Sequence, residues 1–238
     1  MDSLRFIILD ETSQSFINCT KACLFMKQND FVEIDFTGKL PNGTVFDTTM
    51  ESVAKTAGLN PKGTYKPVKL CIGKGHVLLG IDEALLEHNE GTFSITLTPE
   101  KAFGKKNVKM VRLIPLSEFK EHNVNPVPGM TVDFDGKPGV IMRRTGGRVM
   151  VNFNHPLAGK EVVYDVTINK KIENVGEQIQ LMLEHAMKPL PVIPEVTINK
   201  DTAEVTLPFE LPETMHEGLS KIVTDTVKIK NIVFKKKE

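Results

Sequence analysis

Tryptophan is absent from this 238-residue chain, tyrosine occurs 2 times and cysteine 3 times. Cys19, Cys23 and Cys71 are too sparse, and odd in number, for a disulfide framework, which points to a reducing, cytoplasmic setting. Neither Cys19 nor Cys23 has a histidine or a second cysteine pair nearby, and the 6 histidines are scattered without ligand spacing, so no metal is expected. Excess charge of one sign is also missing: Lys and Arg total 30, Asp and Glu total 30. No global field therefore favours nucleic acid or an anionic membrane, and neither is expected as a partner. The basic run from Lys235 to Lys237 reads as a solvated tail. Long hydrophobic runs are lacking as well. Phe6-Ile7-Ile8-Leu9 is closed by Asp10 and Glu11, too short for a membrane span or a secretory core. Secretion is not expected, so the Asn-x-Thr sequons at Asn18 and Asn42 carry little meaning. No phosphate-binding glycine loop and no Gly-x-Ser-x-Gly elbow occur, and Gly73-x-Gly75 is too short for a dinucleotide fingerprint. An enzyme built from this chain would work without cofactor, covalent or metal chemistry.

What is present is alternation and punctuation. Hydrophobic residues make up 40% and charged residues 25%, as in soluble globular proteins, and the length suits two or three domains. Residues 1–25 show no sustained period and read as an N-terminal extension, or Met26 as the functional start. Val32, Ile34 and Phe36 then alternate with Glu33, Asp35 and Thr37, the pattern of a half-buried strand. Pro41-Asn42-Gly43 marks a turn, and residues 53–67 read as a Gly/Pro/Thr-rich loop before a strand at Val68 to Ile72. Ile81, Ala84, Leu85 and His88 recur at helical spacing, and Gly91 lets the chain leave that helix. Phe93, Ile95 and Leu97 form a further strand.

Beyond residue 105 the texture changes. Ser117 is placed to cap a short helix, and two strand pairs follow with turns at Asp135-Gly136 and Thr145-Gly146-Gly147. Val149, Val151 and Phe153 share a face. After Asn154-His155-Pro156-Leu157-Ala158-Gly159, where His155 reads as a turn residue, Val162, Tyr164, Val166 and Ile168 line one face of a long strand. Residues 173–238 read as α-β-β-α-β, with capping boxes at Asn174/Glu177 and Thr214/Glu217 and a hairpin around Asn199 to Asp201.

The order Asp35-Phe36-Thr37-Gly38, Phe46-Asp47-Thr48-Thr49, Ile72-Gly73 through Gly80-Ile81-Asp82-Glu83-Ala84-Leu85, and Pro99-Glu100-Lys101-Ala102-Phe103-Gly104 resembles the FKBP family of peptidyl-prolyl cis/trans isomerases. The segment after Gly104, ending in Val151-Asn152-Phe153-Asn154-His155-Pro156-Leu157-Ala158-Gly159-Lys160, looks like the insert-in-flap domain of SlyD-like members. With the C-terminal unit, the chain is most similar to the long archaeal-type FKBPs. The resemblance implies an α+β fold: an antiparallel twisted sheet wrapped on a short helix, an inserted β-rich domain and a C-terminal α+β domain. The expected limits are 26–104 with 154–172 for the isomerase, 105–153 for the insert and 173–238 for the last unit.

The same resemblance implies a prolyl pocket lined by Phe36, Phe46, Val77, Leu78, Ile81 and Tyr164. Asp47 would stand at its rim, Phe103 near the substrate carbonyl, and Val68 at a wall position where many members carry an aromatic residue. Ile81 stands where the best-known members have a Trp floor, and Phe36 and Phe103 where those members often carry Tyr. Partners would be unfolded or proline-containing protein clients. In the insert, Met110, Leu113, Ile114, Leu116, Phe119, Met130, Met142 and Met150 exceed what so small a unit easily buries, which suggests an adaptable client surface beside a small core. The C-terminal unit, with paired apolar stripes and about 65 residues, is expected to form a homodimer. The alternative activity is a binding-only chaperone that kept the fold and lost isomerase function.

Overall fold

The structure, a computed structural model, describes residues 26–188 and 193–236. The expected extension 1–25, with Cys19 and Cys23, lies outside them. Among the described residues no helix is long and apolar enough to cross a membrane.

β1 (Phe31–Lys39) sends Val32 and Ile34 into a core and turns Glu33 and Asp35 outward. It turns back at Pro41 to Gly43 into β2 (Val45–Thr48), where Gly43 takes a φ of 87° and donates its N–H to the Leu40 carbonyl. The stretch read as loop from residue 53 begins instead with a short helix, α1 (Glu51–Thr56), which buries only Ala54. β3 (Val68–Cys71) returns alongside β1, and α2 (Leu79–Glu87) buries Ile81, Ala84 and Leu85. That helix ends one residue before the expected stripe does. His88 is already extended, its ring stacked on Phe93 at 3.9 Å. Phe93 lies on β4 (Gly91–Leu97).

The insert comprises β5 (Val111–Pro115), α3 (Leu116–Glu121), β6 (Thr131–Phe134), β7 (Lys137–Thr145) and β8 (Arg148–Asn152). Ser117 does not cap α3. The helix starts directly after Pro115, and the Leu116 N–H is satisfied by the Gly147 carbonyl of the β7–β8 turn, so no side-chain acceptor is needed. The two expected strand pairs are one four-stranded sheet in the order β5-β8-β7-β6, because nine-residue β7 is long enough to pair with both neighbours. Ile114, Phe119, Ile141, Val149 and Val151 form its core. Leu113, Met130 and Met142 stay exposed.

β9 (Val162–Lys171) then closes the first sheet, pairing antiparallel with β1 on one side and β4 on the other, in the order β2-β1-β9-β4 with β3 also on β1. The entering and leaving strands of the insert are stapled at its neck. The Asn107 N–H donates to Asn154 Oδ1 at 2.7 Å, and Asn154 Nδ2 donates back to the Asn107 carbonyl at 3.0 Å.

The C-terminal unit runs α4 (Val175–Ala186), β10 (Glu195–Asn199), β11 (Thr202–Leu207), α5 (Glu213–Thr224) and β12 (Asn231–Lys236), with β12 parallel to β11. Asn174 caps α4 as expected, its Oδ1 accepting the Glu177 N–H, but the Glu177 carboxylate reaches Lys69 at 2.6 Å rather than returning to Asn174. Thr214 caps nothing: α5 begins after Pro212, whose fixed φ turns the chain two residues earlier. The unit's core is shared. Ile179, Leu181, Met182, Leu183, Leu219 and Val223 pack with Phe31 and Cys71 from the first sheet and with Ile172 just after β9. Burial there pushes the Cys71 thiol up to about 12, so it acts as a small apolar side chain. His76 and His185 stack across the same junction at 3.8 Å, and burial lowers His76 to about 4 and His185 in the same direction.

Phe31 is the largest side chain that the first sheet sends into this shared core. Phe31→Ala is expected to cost about 3–5 kcal/mol, read as a lower urea midpoint by far-ultraviolet circular dichroism. An unchanged midpoint would mean that the two units do not stabilise one another.

Candidate active site

Strand register puts the site's first members side by side. Gly38 on β1 faces Asp47 on β2 and Tyr164 on β9, so the three form one row across the sheet. Phe36, two residues along β1, shares their face. Its ring meets Tyr164 edge-on at 5.7 Å, and Phe46 meets Tyr164 at 5.8 Å and Phe103 at 5.9 Å. Edge-to-face contacts of this kind add about 0.5–1.5 kcal/mol each beyond area burial. Gly38 makes them geometrically feasible. A Cβ there would lie 2.8 Å from Phe46 and 2.9 Å from Tyr164.

The remaining apolar members come from α2 and its approach and from the turn after β4. Ile81 in the first turn of α2 is 2% exposed, as is Tyr164, and both belong to one core cluster. Phe36, Phe46, Val77, Leu78 and Phe103 pack against the same core cluster but remain half-buried, as does Val68. The geometry is thus a buried floor rimmed by partly open aromatic and aliphatic side chains. Leu78 precedes α2 as its N-cap, and no acceptor among the described residues takes its backbone N–H.

Asp47 stands at the edge of this group, open to solvent on one side. Partial burial raises its carboxyl above the ordinary value, opposed by the Thr48 backbone N–H. Tyr164 is raised well beyond its ordinary range, first by burial and then by the Asp47 charge, so its phenol stays protonated at any physiological pH. No acid and base face each other across the group. Among the described residues, no three or more His, Cys, Asp or Glu side chains are gathered to hold a metal ion.

One member was not legible as such in the sequence. His155, read as a turn residue, stacks on Phe103 with centroids 4.5 Å apart and planes within 4°. The Leu157 N–H donates to His155 Nδ1 at 3.2 Å, which leaves the proton of the neutral ring on Nε2. His155 follows the Asn154 staple, so the insert's neck is fastened directly to the aromatic rim. The only signal was the position of His155 in the segment that resembles the end of the insert.

Comparison with known proteins gives a consistent picture. Residues 24–125 match the model of the family described as "FKBP-type peptidyl-prolyl cis-trans isomerase", and residues 112–157 match that described as "FKBP26, IF domain". A short-type peptidyl-prolyl cis-trans isomerase from Methanocaldococcus jannaschii is 31% identical over 145 residues, covering 60% of this chain and 92% of the relative. A probable FKBP-type 16 kDa peptidyl-prolyl cis-trans isomerase from Pseudomonas fluorescens is 32% identical over 147 residues, covering 59% and 88%. The SlyD isomerase of Treponema pallidum is 31% identical over 101 residues, covering 40% and 57%.

The Asp47 shift has a sign. A carboxyl raised in the folded state costs stability once pH rises through the folded value and costs nothing below the unfolded value of 3.8. Asp47→Asn should therefore gain stability over the parent as pH goes from 4 to 7, seen as a widening gap in urea midpoints. A constant gap would contradict the burial of this carboxyl.

Proposed function

This chain belongs to the FKBP-type peptidyl-prolyl cis-trans isomerase family, and we propose that it rotates client prolyl bonds on the apolar face made by Phe36, Phe46, Val77, Leu78, Ile81, Phe103 and Tyr164. The observation that carries this reading is the set of edge-to-face contacts joining Phe36, Phe46, Phe103 and Tyr164 above the buried Ile81.

Amide resonance sets a rotation barrier of about 18–20 kcal/mol, and the planar amide is more charge-separated than the twisted one. Water therefore stabilises the planar state more. A proline ring held against dry aromatic edges loses that water, and the twisted state gains relative to it. A 10⁴-fold acceleration would need about 5.5 kcal/mol. The Leu78 N–H, without an acceptor among the described residues, would supply a donor for a client carbonyl, a second contribution of fixed dipoles. Asp47 bounds the rim with a charge the client amide need not approach. No proton moves, which suits a group without an acid–base pair.

The insert serves recruitment in this proposal. Exposed Leu113, Met130 and Met142 surround a small closed core, and a cavity of about 360 Å³ opens beside Phe119, Val124, Met130 and Phe134. Flexible methionines repack on varied partners. The insert's neck is joined to the aromatic group through Asn154 and His155. A homodimer through residues 173–238 is proposed on the exposed Met215, Ile222 and Val233; light scattering that gave a monomer at high concentration would remove it.

A protease-free assay on an Ala-Pro-Phe-type tetrapeptide tests the site. Phe46→Ala and Tyr164→Ala should each lower kcat/KM about tenfold or more, and parent-like rates in both would overturn the assignment. Removing residues 107–152 should keep tetrapeptide turnover while slowing the catalysed refolding of a proline-limited protein. An undiminished refolding rate would reject recruitment by the insert.

A further inference from the structure

A second cavity, of about 800 Å³, lies between the isomerase sheet and the C-terminal unit, within the range of clefts that hold ligands. One wall is α4, contributing Leu181, Glu184 and His185, with Lys188 just beyond its C-cap. The other is the start of β3 with the chain leading into it, Lys66 to Lys69, and the buried Thr48 and Thr49. Phe36 and Val68 line this cavity too, although both pack against the core on which the prolyl face is built. The two sites thus meet at Phe36, whose ring is edge-on to Tyr164.

Charges around the cavity are unevenly matched. Glu33 pairs with Lys170 at 3.5 Å, Glu177 with Lys69 at 2.6 Å, and Glu184 accepts from Gln180 at 2.9 Å while its charge also acts on Lys69. Lys66 and Lys188 have no carboxylate partner among the described residues. Lys188 instead approaches the ring of His185 at 3.2 Å. Two lysines without an ion-pair partner among the described residues therefore border, with Glu184, a cleft that begins at the prolyl face.

We infer that this cavity is a subsite for the client residues next to the isomerised proline, and that Lys66 and Lys188 make it select acidic side chains there. The inference rests on the prolyl-face reading above and adds a role for the C-terminal unit in substrate choice. A chain gripped by its proline ring at Phe36 continues along the groove. Leu181 and Val68 offer it apolar contact, and the two lysines stand at its edges.

The test uses the full chain and a set of prolyl peptides: the tetrapeptide alone, and versions extended by three Glu or three Lys on either side. On the side that enters the cavity, kcat/KM relative to the tetrapeptide should be about threefold higher for the Glu extension than for the Lys extension, the size expected for exposed ion pairs. The preference should fade in 0.5 M salt. It should reverse in Lys66→Glu/Lys188→Glu, whose exposed positions leave the core untouched. Equal turnover of Glu and Lys extensions on both sides, or a preference unchanged by the charge reversal, would overturn the inference and leave the isomerase reading standing. Failure to turn over the tetrapeptide itself would remove that reading and this inference with it.

Discussion

The close approach of Phe46 and Tyr164 over Gly38 is the constraint on which the rest of this molecule depends. A strand position without a side chain lets two aromatic rings meet edge-on across β1, within 2.9 Å of where a Cβ would stand. Tyr164 is held there by β9, which closes the sheet only after the chain has made the whole insert. The aromatic group therefore cannot form from the first half of the domain alone. Tyr164 arrives last in sequence, and its edge-to-face contacts join segments more than one hundred residues apart.

That late closure explains the architecture around the face. An insert placed between β4 and β9 would swing freely if its two ends were simple coil. Here the ends are tied by the paired Asn107–Asn154 hydrogen bonds and by the Gly159 N–H to the Gly104 carbonyl at 2.8 Å. The next residue after Asn154 puts an imidazole flat on Phe103. On the opposite side of the sheet, Phe31 and Cys71 project away from the isomerase core into the C-terminal unit, and the Lys69–Glu177 ion pair borders the junction. The first sheet thus carries the aromatic group on one face and a docked unit on the other. The cavity between them opens where β3 begins.

Much of this was legible in the sequence, for reasons specific to each element. Strand alternation at Val32/Ile34/Phe36 and at Val162/Tyr164/Val166/Ile168 is a period-2 signal, and it survives into the structure because one side of each strand is fully covered. The helix at Ile81 was readable from three buried positions at helical spacing. Helix α1 was not, because six residues with a single buried alanine carry no stripe. Ser117 and Thr214 misled for a related reason: a hydroxyl residue near a helix start looks like a cap, but both helices follow prolines. The docking of the C-terminal unit was hidden because the outer face of β1 reads Phe31, Glu33, Asp35, and one aromatic beside two acids resembles an ordinary exposed side chain. His155 could not be placed from its neighbours, since its partner Phe103 lies across the insert.

The apolar face as the place of catalysis is tested most directly by nuclear Overhauser contacts between a bound proline peptide and the protein. With the aromatic and isoleucine side chains labelled, the prolyl ring protons should show contacts to Phe46, Ile81 and Tyr164 together. Contacts confined to the insert, with none to these three, would contradict the account.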